Sequence, residues 1–292
     1  MAECGAAGNQ ATAARLHGAP SKWATGERCM SAFLQTINPL YSLSGLFVGA
    51  LVGFTGVGGG SLMTPLLVLL FGIHPTTAVG TDLLYAGVTK ICGSAVHNSN
   101  HAVDWRIVRR MASGSVPAAV VTLVLLGYFG HDNKSVGTVI TTVLGFALIL
   151  TAVTLIFRRW LLEKLAHKLD TYSDRQIALL TVALGAIIGA LVSLSSVGAG
   201  AIGVTALLIL YPKLPTVRIV GSDIAHAVPL TLIAGAGHWW IGSVDWSLFA
   251  SLLIGSIPGI AIGSALASKV PDRVLRPVLA GTLALVGGRL VF

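Results

Sequence analysis

IALLTVALGAIIGALVSLSSVGAGAIGVTALLILY, residues Ile177 to Tyr211, runs for 35 positions without one charged side chain. A helix needs about 20 apolar residues to cross the hydrocarbon core of a bilayer, so the stretch exceeds a single crossing. It is also interrupted at Ser195-Ser196-Val197-Gly198-Ala199-Gly200, where glycine and serine weaken a helix. Outward from it the pattern recurs: Ser135 to Phe157 holds 23 uncharged residues and Ser247 to Ser268 holds 22. Only 10% of the 292 residues are charged and 54% are hydrophobic, where a soluble domain carries roughly a quarter charged residues. The mean hydropathy is +0.83. Such a chain cannot cover a water-soluble globule, which excludes a soluble enzyme. The alternating runs of about ten residues that build an outer-membrane barrel are missing. The sequence therefore reads as an all-α polytopic membrane protein, with membrane lipid as its solvent.

Eight apolar blocks follow one another, at 42–71, 76–97, 107–129, 136–157, 178–211, 219–240, 247–268 and 274–292. They divide the chain into a loose polar tail (1–41), a first membrane repeat (42–157), a charged amphipathic linker (158–177) and a second membrane repeat (178–292). No cleavable signal is expected ahead of the first block. The repeats are read from matching residues. At an offset of 140, Gly49, Val52, Val57, Gly58 and Gly60 match Gly189, Val192, Val197, Gly198 and Gly200. At an offset of 141, Gly80-Thr81-Asp82 matches Gly221-Ser222-Asp223, His97 matches His238, Asp104-Trp105 matches Asp245-Trp246, and Gly114-Ser115-Val116-Pro117 matches Gly255-Ser256-Ile257-Pro258. Chance apolar similarity does not keep Asp, His and Asp-Trp in order, so the chain is duplicated.

The net charge of +8 and pI near 9.8 come from cations in short loops, where they set topology and do not mark a nucleic-acid site. If every block crosses once, Lys213, Arg218, Lys269, Arg273 and Arg276 all face outward, against the positive-inside rule. If the first block of each repeat instead dips in and returns, on two arms of about 11 residues or roughly 17 Å each, those cations move inside and the two repeats become inverted. A single long broken helix in each place is the competing reading.

The glycines carry the first candidate site. Gly56, Gly58, Gly59 and Gly60, with Ser61, and on the other side Ser195, Ser196, Gly198 and Gly200, break the helix inside lipid, where exposed N–H and C=O groups need a partner. Half-helices starting after these breaks point positive dipole ends at the bilayer centre, an arrangement suited to an anion. Lys90 is the one cation near the middle of a first-repeat span and, if it faces a cavity, attracts the same anion. Thr81-Asp82 and Ser222-Asp223 follow a glycine near helix starts. They are either caps or a symmetry-related pair near the substrate, with Thr81 and Ser222 as ligands and Asp82 and Asp223 exchanging protons. His226, one turn past Asp223, shares that relay or hydrogen-bonds a neighbouring helix. His97, His238 and the Trp residues near them read as interfacial anchors. Cys4, Cys29 and Cys92 form no pairing or metal pattern, and no nucleotide motif or cofactor signature appears.

Gly49 to Pro65 (GALVGFTGVGGGSLMTP), Ala78-Val79-Gly80-Thr81, Val103-Asp104-Trp105 and the Gly-Ser-x-Pro turn resemble the TauE/SafE family of membrane permeases, the sulfite exporter or 4-toluene sulfonate uptake permease family. The resemblance spans about residues 42 to 292 and implies a duplicated carrier of small anions, sulfite, organosulfonates or related sulfur compounds, coupled to protons. Two features depart from the family pattern: Asp82 and Asp223 stand where it has a small hydroxyl residue after Gly-Thr, and Thr205 replaces the counterpart of Pro65. The expected function is a secondary transporter of a small anion in the plasma membrane of a prokaryote, with one repeat rocking against the other and no enzymatic activity; a homo-oligomer is compatible with this plan. The alternatives are a passive anion channel and a divalent-cation carrier built on Asp82 and Asp223.

Overall fold

The computed structural model describes residues 38–55, 60–99, 102–129, 133–169, 172–198, 200–267 and 272–291. Among them stand ten helices and no strand: α1 (Pro39–Thr55), α2 (Gly60–Leu69), α3 (Pro75–Ser99), α4 (Trp105–Phe129), α5 (Asn133–Leu169), α6 (Asp174–Ser195), α7 (Ala201–Leu210), α8 (Thr216–Trp240), α9 (Trp246–Ala267) and α10 (Asp272–Val291). Five of them, α4, α5, α6, α8 and α9, are long and apolar enough to span a bilayer. The all-helical membrane architecture read from the sequence is what the chain forms.

Each start has a local cause. Ser173 opens α6 with a capping box: its hydroxyl accepts from the Gln176 amide while the Gln176 side chain accepts from the Ser173 amide. Asp104 and Asp245 cap α4 and α9 by accepting from the amides of Arg106 and Leu248 at 3.0 Å each. The charged segment after Phe157 continues α5 without a break to Leu169. The Gly-Ser-x-Pro motifs expected as turns lie inside helices, with Pro117 in α4 and Pro258 in α9. Membrane helices accept such prolines because neighbouring helices satisfy the freed carbonyls.

The arms around the glycine-rich breaks are unequal, not about 11 residues each: α6 has 22 residues and α7 has 10. The longer arm starts outside the apolar block, at the capping box. Ser196 closes α6 in the left-handed conformation at φ +58°, and Gly198 and Gly200 continue at φ +124°, a region only glycine visits freely. After α7 the chain is back beside the start of α6, since the Tyr211 hydroxyl lies 2.8 Å from Thr181 Oγ1 and accepts from Arg110, which also bridges to Asp174 at 3.1 Å. The counterpart contact in the first half is Tyr41 of α1 edge-on to Phe71 beyond α2, with ring centroids 5.0 Å apart.

Glycines set how the helices pair. A Cβ on Gly45 or Gly49 of α1 would fall 2.4 Å from the Leu252 carbonyl or 2.6 Å from that of Ser256 in α9, and one on Gly185 or Gly189 of α6 would fall 2.2 Å from the Met111 carbonyl or 2.3 Å from that of Ser115 in α4. Both pairs run parallel. α3 and α8 run antiparallel: Gly80, Gly87 and Gly235 pack against His238, Leu232 and Leu84. Close backbone approach of this kind drives helix association where lipid offers no hydrophobic gain. Leu43, Phe47, Val124, Leu125, Ile187, Ile257 and Leu285 remain exposed on the outer faces, which is the lipid surface of a membrane protein.

Candidate functional site

α3 and α8 bring the titratable residues together. Asp82 on α3 is 0% exposed and Asp223 on α8 is 2% exposed. Neither caps its helix. Thr64 of α2 donates to Asp82 Oδ2, and Ser196, held at the α6–α7 break, interacts with the same carboxylate. Asp223 packs directly on the short helix α7, so closely that a Cβ on Gly203 would lie 2.4 Å from its Oδ1. Lys90, about two turns beyond Asp82 and half-buried, interacts electrostatically with Asp82, Asp223 and His226. One carboxylate from each half therefore lies within electrostatic range of Lys90, without an ion pair to it among the described residues.

Three residues past each carboxylate, on the same face of its helix, stands a second polar group. His226 Nε2 is hydrogen-bonded to Ser115 Oγ of α4 at 2.7 Å, and the Tyr85 hydroxyl lies beside Ser256 of α9. In each case the residue meets the serine of the opposite half's Gly-Ser-x-Pro motif. Buried hydroxyls elsewhere satisfy themselves locally: Thr151, Thr181, Ser193 and Thr231 donate to the carbonyl four residues back at 2.7–2.8 Å. Around Asp82 that does not happen. Asp82 Oδ1, Tyr85 Oη, Ser196 Oγ and Ser256 Oγ make no close hydrogen bond among the described residues, nor do Asp223 Oδ1 and His226 Nδ1, although Ser196 stands within reach of Asp82 and Tyr85 within reach of Ser256.

The other sequence candidates are placed as follows. The hydroxyls of Thr81 and Ser222 accept from the amides of Asp245 at 3.1 Å and Asp104 at 2.8 Å, fixing the starts of α9 and α4. They are engaged in holding the halves together. Ser195 braces the break by donating to the Leu191 carbonyl at 2.7 Å and accepting from the Val197 amide at 3.2 Å. Gly198 and Gly200 shape the turn into α7, whose N-terminus no side chain caps. Gly60 opens α2; Ser61 follows it, its side chain outside the described residues, as are Gly56, Gly58 and Gly59 entirely. His238, expected as an interfacial anchor, is fully buried and donates from Nε2 to the Ser193 carbonyl at 2.9 Å. The Trp residues beside it are exposed, Trp239 at 59% and Trp240 at 92%. Thr64, Tyr85, Ser115 and Ser256 were not expected as site residues; the Gly-Ser-x-Pro motif in both repeats is the one signal that pointed toward two of them.

The sequence model of the family described as sulfite exporter TauE/SafE matches residues 41–290. The chain is 40% identical to the probable membrane transporter protein YjnA of Bacillus subtilis over 250 residues, 85% of this chain and 98% of that one. It is 26% identical to the probable membrane transporter protein YdhB of the same organism, over 84% of this chain and 96% of the relative. To the probable membrane transporter protein MJ0441 of Methanocaldococcus jannaschii it is 27% identical, over 85% of this chain and 93% of the relative. No solved structure matches. A family match over nearly all of the described helices, joined to apolar helices of spanning length, leads to one conclusion: the chain is an integral membrane transporter and belongs to the sulfite exporter TauE/SafE family.

Proposed function

We propose that this chain is a secondary transporter that carries a small oxyanion, sulfite, an organosulfonate or a related sulfur compound, across the plasma membrane by alternating access coupled to protons. The observation that carries the reading is Lys90 within electrostatic range of both Asp82 and Asp223, one carboxylate from each half. A cation inside a membrane span is retained where it meets a substrate or counter-charge, and two buried carboxylates beside it offer sites for the coupling proton, with His226 as their neighbour. The uncapped start of α7 adds free backbone dipole on the same side of the site.

The architecture is that of two inverted repeats, each opening with a glycine-rich re-entrant segment and joined by the charged linker. The antiparallel course of α3 against α8 supports the inversion, and the return of Phe71 to Tyr41 and of Tyr211 to Thr181 supports re-entry. The bodies that move are helix pairs drawn from both halves, because α1 is zipped to α9 and α6 to α4.

Purified protein in liposomes tests this. Lys90→Ala is expected to lower sulfite counterflow on the order of a hundredfold with the protein still folded, and Lys90→Arg to restore it in part, since a planar fork does not replace a compact ammonium. Asp82→Asn and Asp223→Asn are expected to abolish accumulation driven by a pH gradient while leaving exchange. Accumulation at the wild-type level in both amides removes them from coupling. A passive channel shows flux without accumulation, and a divalent-cation carrier survives Lys90→Ala but not the amides.

A further inference from the structure

The imidazole of His238 on α8 sits where α6 gives out. A carbonyl inside an α-helix accepts from the amide four residues on, and for Ser193 that amide belongs to Val197. The Val197 amide donates to Ser195 Oγ at 3.2 Å instead, while the Ser196 amide still donates to the Val192 carbonyl at 2.8 Å. The Ser193 carbonyl is thus an acceptor that the break releases. His238 Nε2 takes the vacant place at 2.9 Å, and because a carbonyl only accepts, the ring carries a proton on Nε2. The Ser193 hydroxyl plays no part, since it donates to the Gly189 carbonyl at 2.8 Å.

The imidazole is gripped from its other side by the opposite half. His238 is 0% exposed, and a Cβ on Gly80 of α3 would fall 2.9 Å from its Cβ and 3.3 Å from its Cγ. Gly80 stands two residues before Asp82, and Ser196 reaches that carboxylate from the break. The end of α6 therefore meets α3 twice, through Ser196 at Asp82 and through His238 at Gly80. Ser196 also holds the left-handed φ of +58°, a conformation that a serine keeps only when its surroundings impose it.

We propose that His238 is a positioning residue of the transport site: its Nε2–H replaces the helical bond that Ser193 loses at the break, and so fixes the register in which Ser196 faces Asp82. The inference rests on the reading of Asp82 as part of that site and is indifferent to which substrate is carried. The repeat has His97 at the matching place; its side chain lies outside the described residues.

The geometry of the break can be read without any substrate. With Cys4, Cys29 and Cys92 replaced by serine, Val197→Cys at the break and Thr231→Cys two turns earlier on α8, each replacing a residue that is 1% exposed, report local opening by their rate of reaction with a small thiol reagent in detergent. His238→Phe is expected to speed labelling of Val197→Cys on the order of tenfold, the effect of one lost buried hydrogen bond, and to leave Thr231→Cys unchanged. His238→Gln, whose side-chain N–H reaches as far as Nε2, is expected to keep the break protected. Sulfite counterflow in liposomes is expected to follow the labelling: lowered in His238→Phe, largely restored in His238→Gln, and normal in Ser193→Ala, which keeps the carbonyl. Unchanged labelling in His238→Phe, equal acceleration at both cysteines, or full counterflow through an opened break would overturn the proposal. Where His238→Phe yields no folded protein, His238→Gln decides alone: a protected break with counterflow upholds it, and an opened break or loss of folding overturns it. Wild-type protein that moves no sulfite sinks the anion reading, and the labelling rates still judge His238.

Discussion

Gly203 shows how little room the site has. Its missing side chain is where Asp223 Oδ1 sits, 2.4 Å from a would-be Cβ, so Gly203→Ala must shift either the carboxylate or α7. Neither move empties the core, because the methyl replaces no packed atom. We therefore expect on the order of tenfold lower counterflow, in line with about 1–3 kcal/mol for a disturbed overpacked contact, and near-normal yield of monodisperse protein, read by size-exclusion chromatography. Equal loss of yield and flux would make Gly203 a folding residue only. At this scale the charges were legible in the sequence: Asp82, Asp223, Lys90 and His226 stand out because ionisable groups are rare inside lipid. Thr64, Tyr85, Ser115 and Ser256 were not, because hydroxyls are ordinary in membrane helices and acquire meaning only when a neighbouring helix engages them. Thr81 and Ser222 show the converse. Their position after Gly80 and Gly221 suggested a ligand, whereas the amides of Asp245 and Asp104 had already claimed them.

Among the elements, α9 carries the tightest seam. Gly255, Gly259 and Gly263 repeat every fourth residue, and a Cβ on each would lie 1.7, 2.3 and 2.0 Å from the carbonyls of Ser42, Leu46 and Ala50. On α10, by contrast, no atom of the described residues lies within 4 Å of a Cβ built at Gly281 or Gly288. Gly259→Leu is therefore expected to eliminate folded protein, and Gly281→Ala and Gly288→Ala to leave its melting temperature unchanged, as followed by thermal unfolding in detergent. Glycine content alone does not distinguish these positions; the four-residue spacing on α9 does. Helix count and the place of each break were readable from apolar length and from Ser195 to Gly200. The unequal arms were not, since the end of α6 depends on the capping box at Ser173, which lies outside the apolar block.

Across the whole molecule, the pairs α1–α9, α6–α4, α3–α8 and α5–α10 each join one half to the other. The residue matches are what the sequence offers for a duplication; which helix of one half meets which of the other was not legible, because it depends on three-dimensional closure between segments that share no local signal. Neither half can then bury its glycine seams alone. Residues 1–157 or 158–292 produced singly are expected to yield no stable protein, and co-production to restore counterflow. Topology is checked in the intact chain: Arg109→Cys and Lys213→Cys, near the Arg110, Asp174 and Tyr211 cluster, are expected to react with an impermeant thiol reagent from the cytoplasmic face alone. Labelling of the two from opposite faces would remove the re-entrant segment. The α1–α9 seam also has a cost in time. Gly45 leaves the ribosome about two hundred residues ahead of Leu252, roughly 10–40 s at ordinary rates of synthesis. Throughout that interval α1 waits in the bilayer with its carbonyl-lined groove facing lipid, so the first helix made is among the last to be packed, and membrane quality-control proteases have their opening there.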